Sequence, residues 1–189
     1  MKLLAIALAT GMLCSLPALA DVTAGVRKSA SCTTCHGNDG NSAAAAYPNL
    51  AGQTKEYLVK QMSDLKEGRR VSQVMSTMIQ IMSPEDINDL SEYFSVQVPQ
   101  QNSFRSDPEK AAKGKQLTVD LKCTSCHQTN FKGLGIIPRV SRQQFNYTVK
   151  QLKDFRDGVR TNDGGLMTPY VKDLTDDQIR EIAHYINTL

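Results

Sequence analysis

The chain has 189 residues, of which 40% are hydrophobic and 22% charged, with 22 Lys plus Arg against 19 Asp plus Glu, five Cys, seven Met, three His and no Trp. This is the usage of a globular protein and excludes disordered, collagen-like and coiled-coil chains. A formal charge of +3 is too small to mark a nucleic-acid binder, which would cluster Lys and Arg along one face, so no nucleic-acid partner is expected.

Residues 1–20 read as a secretory signal peptide. Met1 and Lys2 lead into the apolar run Leu3 to Leu13, and Ala18-Leu19-Ala20 supplies the small residues that signal peptidase needs before Asp21. The run is shorter than the ~20 apolar residues of a membrane-spanning helix. Cys14 lacks the small preceding residue of a lipoprotein site, because Gly11-Met12-Leu13 flanks it. The expected location of the mature chain is therefore the periplasm, reached through a cleaved leader.

In an oxidising compartment the four remaining cysteines would by default pair as disulfides. Their spacing points elsewhere. They fall as Cys32-Thr33-Thr34-Cys35-His36 and Cys123-Thr124-Ser125-Cys126-His127, so a histidine follows each pair at once. This is the c-type haem attachment pattern, present twice. Two thiols three positions apart on a helical turn each form a thioether to one haem vinyl group, and the adjacent histidine lies beneath the iron as proximal ligand. A single structural zinc would join pairs 91 residues apart and leave both histidines unused. Disulfides or a thioredoxin-like motif would not require the histidines. Two covalently attached haem c groups are thus expected, on Cys32, Cys35, Cys123 and Cys126, with His36 and His127 on the metals.

The two halves of the chain align almost end to end. Pro48-Asn49-Leu50 matches Pro138-Arg139-Val140, Gln53 matches Gln143, and Tyr57-Leu58-Val59-Lys60-Gln61-Met62 matches Tyr147-Thr148-Val149-Lys150-Gln151-Leu152. Gly68 and Arg70 match Gly158 and Arg160, and Ser83 to Ile87 match Thr175 to Ile179, at an offset that stays between 90 and 92 residues. This duplication predicts an N-terminal domain over 21–98, a linker over 99–108 and a C-terminal domain over 109–189, with one haem completing each small core.

Each half reads as helices joined by loops. Tyr57, Gln61, Met62 and Leu65 share a helical face, as do Ile87, Leu90, Ser91 and Phe94, and the second half repeats this with Tyr147, Gln151, Leu152 and Phe155, then Ile179, Ile182, Ala183 and Ile186. Ser83 with Asp86, and Thr175 with Gln178, resemble capping boxes that start the last helix of each half. No segment alternates with period two, so the fold class is all-α.

The sixth ligand decides between electron transfer and chemistry on a bound substrate. The second half holds one methionine, Met167, eight residues before the Thr175 cap, and Met75 stands eight residues before the Ser83 cap. These two are the expected distal ligands. Met78 is the rival of Met75, and Met62, in register with Leu152, reads as core filler. His184, between Ala183 and Tyr185 and in register with Glu92, is expected at the surface. His/Met ligation raises the potential relative to His/His and leaves no open position on the metal. The expected work is one-electron transfer, not enzymatic catalysis. Pro48 and Pro138 are placed to accept the other ring N–H of each proximal histidine through their carbonyls. Tyr57, Tyr147, Gln61, Gln151, Arg70 and Arg160 either donate to haem propionates or cap and solvate helices.

With both attachment motifs, Pro48-Asn49-Leu50-Ala51-Gly52-Gln53, Lys150-Gln151-Leu152-Lys153-Asp154-Phe155-Arg156-Asp157-Gly158 and Arg160-Thr161-Asn162-Asp163-Gly164, the chain resembles the dihaem cytochromes c4 over nearly all of the mature sequence. The resemblance implies two tandem cytochrome c domains related by a pseudo-twofold, with their haems close across the interface. It also implies a periplasmic carrier, often peripherally membrane-associated, between a quinol-oxidising complex and a terminal oxidase. Two departures stand out: Gln128 where the first half has Gly37, and Ser141-Arg142 in place of Ala51-Gly52. Charge also differs, with 7 basic and 9 acidic residues over 21–98 but 14 and 10 over 99–189. The competing functions are a dihaem oxidoreductase, which would need an open iron, and a cytochrome subunit fixed in a larger complex.

Overall fold

The N-terminal helix and the last helix of each half cross at a glycine, and this crossing organises both lobes of the computed structural model, which describes residues 21–189. The leader and Cys14 lie outside the described residues. In the first lobe the helices are α1 (Val22–Lys28), α2 (Thr33–His36), α3 (Lys55–Lys66), α4 (Met75–Ile79) and α5 (Pro84–Ser95), with a 3-10 turn over Ser29–Ser31 after α1. The second lobe repeats the order as α6 (Pro108–Asp120), α7 (Thr124–His127), α8 (Phe145–Arg156), α9 (Thr168–Val171) and α10 (Asp176–Thr188). Leu134 and Ile137 form an isolated antiparallel bridge, and among the described residues there is no strand. No helix of the described residues is long and apolar enough to cross a membrane.

The sequence carries the ends of the last helices explicitly. Ser83 and Asp86 form a reciprocal capping box at α5, with Pro84 in the first turn, and Thr175 and Gln178 form the same box at α10. The faces read from periodicity are the buried ones. Ile87, Leu90, Ser91 and Phe94 are buried on α5, and Ile179, Ile182, Ala183 and Ile186 on α10. Against them pack Leu58 and Leu65 of α3 and Phe155 of α8.

The stretch between α5 and α6 is held along its length. Gln100 N–H donates to Asn41 Oδ1 (2.8 Å), Gln101 Nε2 to the Asn187 carbonyl (2.6 Å) and Ser106 Oγ to the His184 carbonyl (2.8 Å). Phe104 stacks on Phe145 with ring centroids 4.2 Å apart. This stretch corrects the expectation for His184, which is buried rather than at the surface. Its ring lies against Phe104 and Phe145, and its Nδ1 accepts the Asp107 N–H at 3.1 Å. Burial first, then the nearby Lys110, holds its pKa below the ordinary value. A helix face covered by another segment cannot be told from an exposed one by its immediate neighbours in sequence.

Candidate functional site

Each attachment motif forms a single helical turn, α2 or α7, and the turn carries its histidine inward. His36 and His127 are both buried. His36 Nδ1 lies 2.9 Å from the Pro48 carbonyl, and His127 Nδ1 3.0 Å from the Pro138 carbonyl, as the spacing predicts. A carbonyl only accepts, so Nδ1 carries the proton and the lone pair sits on Nε2. Burial pushes both imidazoles below their ordinary pKa, against the opposing pull of the proline carbonyls, so both rings are neutral near pH 7. His36 Nε2 is buried and has no hydrogen-bond partner among the described residues. Such an atom is costly unless something binds it, and an electron-pair donor held this way suits a metal.

Among the described residues, none of the four motif cysteines is paired in a disulfide. Cys32 packs against the cluster of Leu58, Leu90, Tyr93 and Phe94, and Cys123 against that of Phe131, Phe155 and Ile182. Burial raises the Cys32 thiol and pushes Cys123 up to about 11. Met75 is half-buried beside Leu65, Ile79 and Ile87, while Met78 is exposed. Met62 bridges two apolar clusters of the first lobe, as a core filler does. Met167 packs on the core of the second lobe and begins α9.

The Tyr, Gln and Arg residues singled out by the repeat come together, and they do so across the lobes. Arg70 donates to Gln61 of its own lobe (2.9 Å) and to Tyr147 (2.8 Å) and Gln151 (3.1 Å) of the other. Arg160 mirrors it, donating to Gln151 (2.5 Å), Tyr57 (3.0 Å) and Gln61 (2.9 Å). The pairs are related by a pseudo-twofold, so each residue meets the repeat counterpart of its own partner. A third guanidinium, Arg139, was not singled out by sequence. It is buried, donates to the Ser141 and Asn49 carbonyls and leaves Nε without a partner. Burial, then the neighbouring Arg142, brings its pKa down to about 10, so it stays charged. The signal was the break in the repeat, where Arg139 replaces Asn49. Around it Asn49, Gln53, Gln143 and Gln144 are buried and bonded across the interface, for example Gln53 Nε2 to the Arg139 carbonyl (2.9 Å) and Asn49 N–H to Gln143 Oε1 (2.7 Å). Arg70 and Arg160 meet amides and phenols, and Arg139 meets carbonyls with its Nε left over; guanidinium is the group suited to the two carboxylates carried by each haem.

The chain is similar to known proteins over its full described length. The family model described as cytochrome c matches it twice, at residues 22–95 and 111–189. It is 38% identical to cytochrome c4 of Pseudomonas aeruginosa over 183 residues, which covers 91% of this chain and 90% of that one. It is 39% identical to cytochrome c4 of Azotobacter vinelandii over 193 residues, with the same coverage of 91% and 90%. The crystal structure of reduced recombinant cytochrome c4 from Pseudomonas stutzeri superposes with a TM-score of 0.82 at 37% identity, covering 90% of this chain and all of that one. Duplicated all-α lobes, a neutral histidine turned inward in each and this likeness over some nine tenths of the chain lead to one conclusion: the chain belongs to the cytochrome c4 family, dihaem electron-transfer proteins in which haem c is bound covalently by two tandem cytochrome c domains.

Proposed function

We propose that the protein carries single electrons in the periplasm between a quinol-oxidising respiratory complex and a terminal oxidase, with His36 and Met75 as axial ligands in the first lobe and His127 and Met167 in the second. The observation that carries this reading is the buried, unpartnered Nε2 of His36, whose Nδ1 faces the Pro48 carbonyl in an arrangement that His127 and Pro138 repeat. Cys32, Cys35, Cys123 and Cys126 would hold the two groups by adding their S–H bonds across the vinyl double bonds. When bound, each haem supplies a one-electron ferric/ferrous couple.

The protein's own part is to fix ligands and exclude water. The proline carbonyls orient both imidazoles and raise their basicity. Met75 and Met167 offer a soft thioether sulfur, which favours the ferrous state, from apolar surroundings that do the same. Arg70, Arg139 and Arg160 would neutralise the haem carboxylates at the interface and so limit the charge that reaches the irons. With a nitrogen donor and a sulfur donor both supplied by the chain, a bound haem would have no coordination position left for oxygen or peroxide.

The test is the visible spectrum of the oxidised protein. Methionine sulfur on ferric iron gives a weak band at the red end, and Met75→Ala and Met167→Ala are each expected to remove about half of it. Rapid binding of carbon monoxide or cyanide by the untreated protein would overturn the carrier in favour of an enzyme with an open iron.

A further inference from the structure

The geometry points to Asn162 as a positioning residue that braces the Met167 loop of the second lobe against Asp64 of the first, a device the first lobe does not possess for Met75. This rests on the reading of Met167 as an axial ligand. Asn162 is engaged through both ends of its side-chain amide and through its backbone carbonyl. Its Nδ2 donates to Asp64 Oδ2 (2.6 Å) and Gln61 Oε1 (3.0 Å), its Oδ1 accepts from Arg160 Nε (3.0 Å), and its backbone carbonyl accepts from Lys60 Nζ (2.6 Å). Asp64 itself is buried on α3, held by Lys60 (2.5 Å) and by Arg69 Nε (2.7 Å). An acceptor fixed by two cations is a rigid anchor, and a hydrogen bond to a charged acceptor is among the stronger ones.

From this anchor the chain runs directly to the ligand. Asp163, next to Asn162, accepts the Gly165 N–H (3.2 Å) and the Met167 N–H (2.5 Å), so the segment from the anchor to Met167 is pinned at both ends. Gly164 and Gly165 between them have positive φ, at 67° and 80°, and without these pins they would leave the segment loose.

The duplication supplies an internal control. In register with Asn162 and Asp163 stand Ser72 and Gln73. Among the described residues Ser72 bonds only within its own lobe: its N–H donates to Ser76 Oγ (3.1 Å), its Oγ accepts the Met75 N–H (3.4 Å) and its carbonyl accepts the Ser76 N–H (2.9 Å). Asp154, the counterpart of Asp64, accepts side-chain bonds from Lys150 (2.5 Å) and Gln151 (3.2 Å) of its own lobe. The brace therefore runs one way. Docking of the first lobe tightens the sulfur ligand of the second, whereas Met75 depends on its own lobe.

The test uses the full-length ferric holoprotein titrated with imidazole, which competes with methionine for the metal, while the weak red band is followed. In Asn162→Ala, and in Asn162→Ser, which installs the residue of the first lobe, the half of the band assigned to Met167 is expected to disappear at about tenfold lower imidazole, the size usual for losing a partner that orients a ligand. The Met75 half stays where it was. Asp64→Asn, which keeps the shape but puts an amide NH2 in place of one of the two accepting oxygens and so gives up either the Lys60 and Asn162 bonds or the Arg69 bond, is expected to act in the same direction, and Asp154→Asn to leave both halves unchanged. If Asn162→Ala does not load haem, Asn162→Ser and Asp64→Asn decide the matter. Loss of both halves in parallel, or of neither, would overturn the brace. A red band that Met167→Ala leaves intact would instead overturn the assignment of Met167 itself.

Discussion

Gln128 has φ 68° and ψ 162°, a region of backbone space that essentially only glycine enters, and it follows His127. The first lobe has Gly37 there, at φ 80° and ψ 159°. The conformation thus belongs to the turn that follows the motif histidine, and the two lobes share it whatever residue occupies it. The neighbouring exchange is compensated: where the first lobe pairs Gly40 with Phe94, the second pairs Phe131 with Ile186, and a Cβ on Gly40 would sit 2.8 Å from the Phe94 ring. Phe131, itself at φ 56°, is buried edge-on against Tyr185. The ring has moved from the last helix to the loop, and the lobe stays filled. Gln128 is exposed and has no such compensation. Gln128→Gly is therefore expected to stabilise the holoprotein by about 1 kcal/mol, read from urea unfolding with unchanged slope. The reverse change, Gly37→Gln, is expected to cost more than that gain, because a Cβ there would lie 2.2 Å from the Asn41 carbonyl oxygen. The motif and the odd residue after it were both legible in the sequence. What could not be read was that Gln128 keeps the glycine conformation, since a re-routed loop would equally have relieved it.

At the scale of elements, each lobe is closed by a helix pair that meets backbone to backbone. A Cβ on Gly25 of α1 would fall 2.4 Å from the Asp89 carbonyl oxygen of α5, and one on Gly114 of α6 would fall 1.9 Å from the Glu181 carbonyl oxygen of α10. The first crossing is locked by ions as well, because Lys28 reaches both Asp86 (2.8 Å) and Asp89 (2.7 Å), and the Asp21 N–H donates to Asp89 (3.0 Å). The second has no comparable pair buried beside it among the described residues. Its nearest ion pair, Lys113 with Glu181 at 3.9 Å, joins a largely exposed lysine. Gly114→Ala gains helix propensity, worth up to ~1 kcal/mol, yet forces α6 and α10 apart. The net effect expected is a loss of roughly 2 kcal/mol, measurable as a lower thermal midpoint, together with slower recovery of the folded spectrum after heating. A stability equal to or above that of the parent would mean that the helices can slide past the methyl group. Periodicity and capping boxes made the last helices readable down to their first residue. The glycines at the crossings were not, because Ala-Lys-Gly-Lys in an otherwise helical segment looks the same whether or not another helix lies on it.

For the whole molecule, the duplication made the two lobes and their order plain in the sequence, but not how they meet. Aligned repeats place Tyr57 on Tyr147 and Arg70 on Arg160, whereas the folded protein sets Tyr57 against Arg160 and Tyr147 against Arg70. Only a pseudo-twofold makes equivalents into partners, and no spacing along one chain encodes that operation. The near-symmetry of this interface contrasts with the charge outside it. Residues 21–98 carry 7 basic against 9 acidic side chains, and 99–189 carry 14 against 10, so the chain alone is a dipole of net −2 and +4. Haem carboxylates lower both figures and leave the difference between them. Fields of this kind act mainly on association rate, and salt screens them over about 8 Å at physiological ionic strength. The second lobe is accordingly expected to be the one that meets an acidic redox partner. Hexacyanoferrate(III), a compact trianion, can probe this by stopped flow. Its oxidation of the reduced protein should be fastest at low salt and fall steadily as salt is added. Lys122→Glu and Lys132→Glu, exposed residues on either side of the second attachment turn, should slow it several-fold at low salt, with the difference vanishing at high salt. Arg27→Glu, exposed on α1 of the first lobe, should change it less. A rate indifferent to salt, or one more sensitive to Arg27 than to the two lysines, would move the docking face to the first lobe or remove charge from the account altogether.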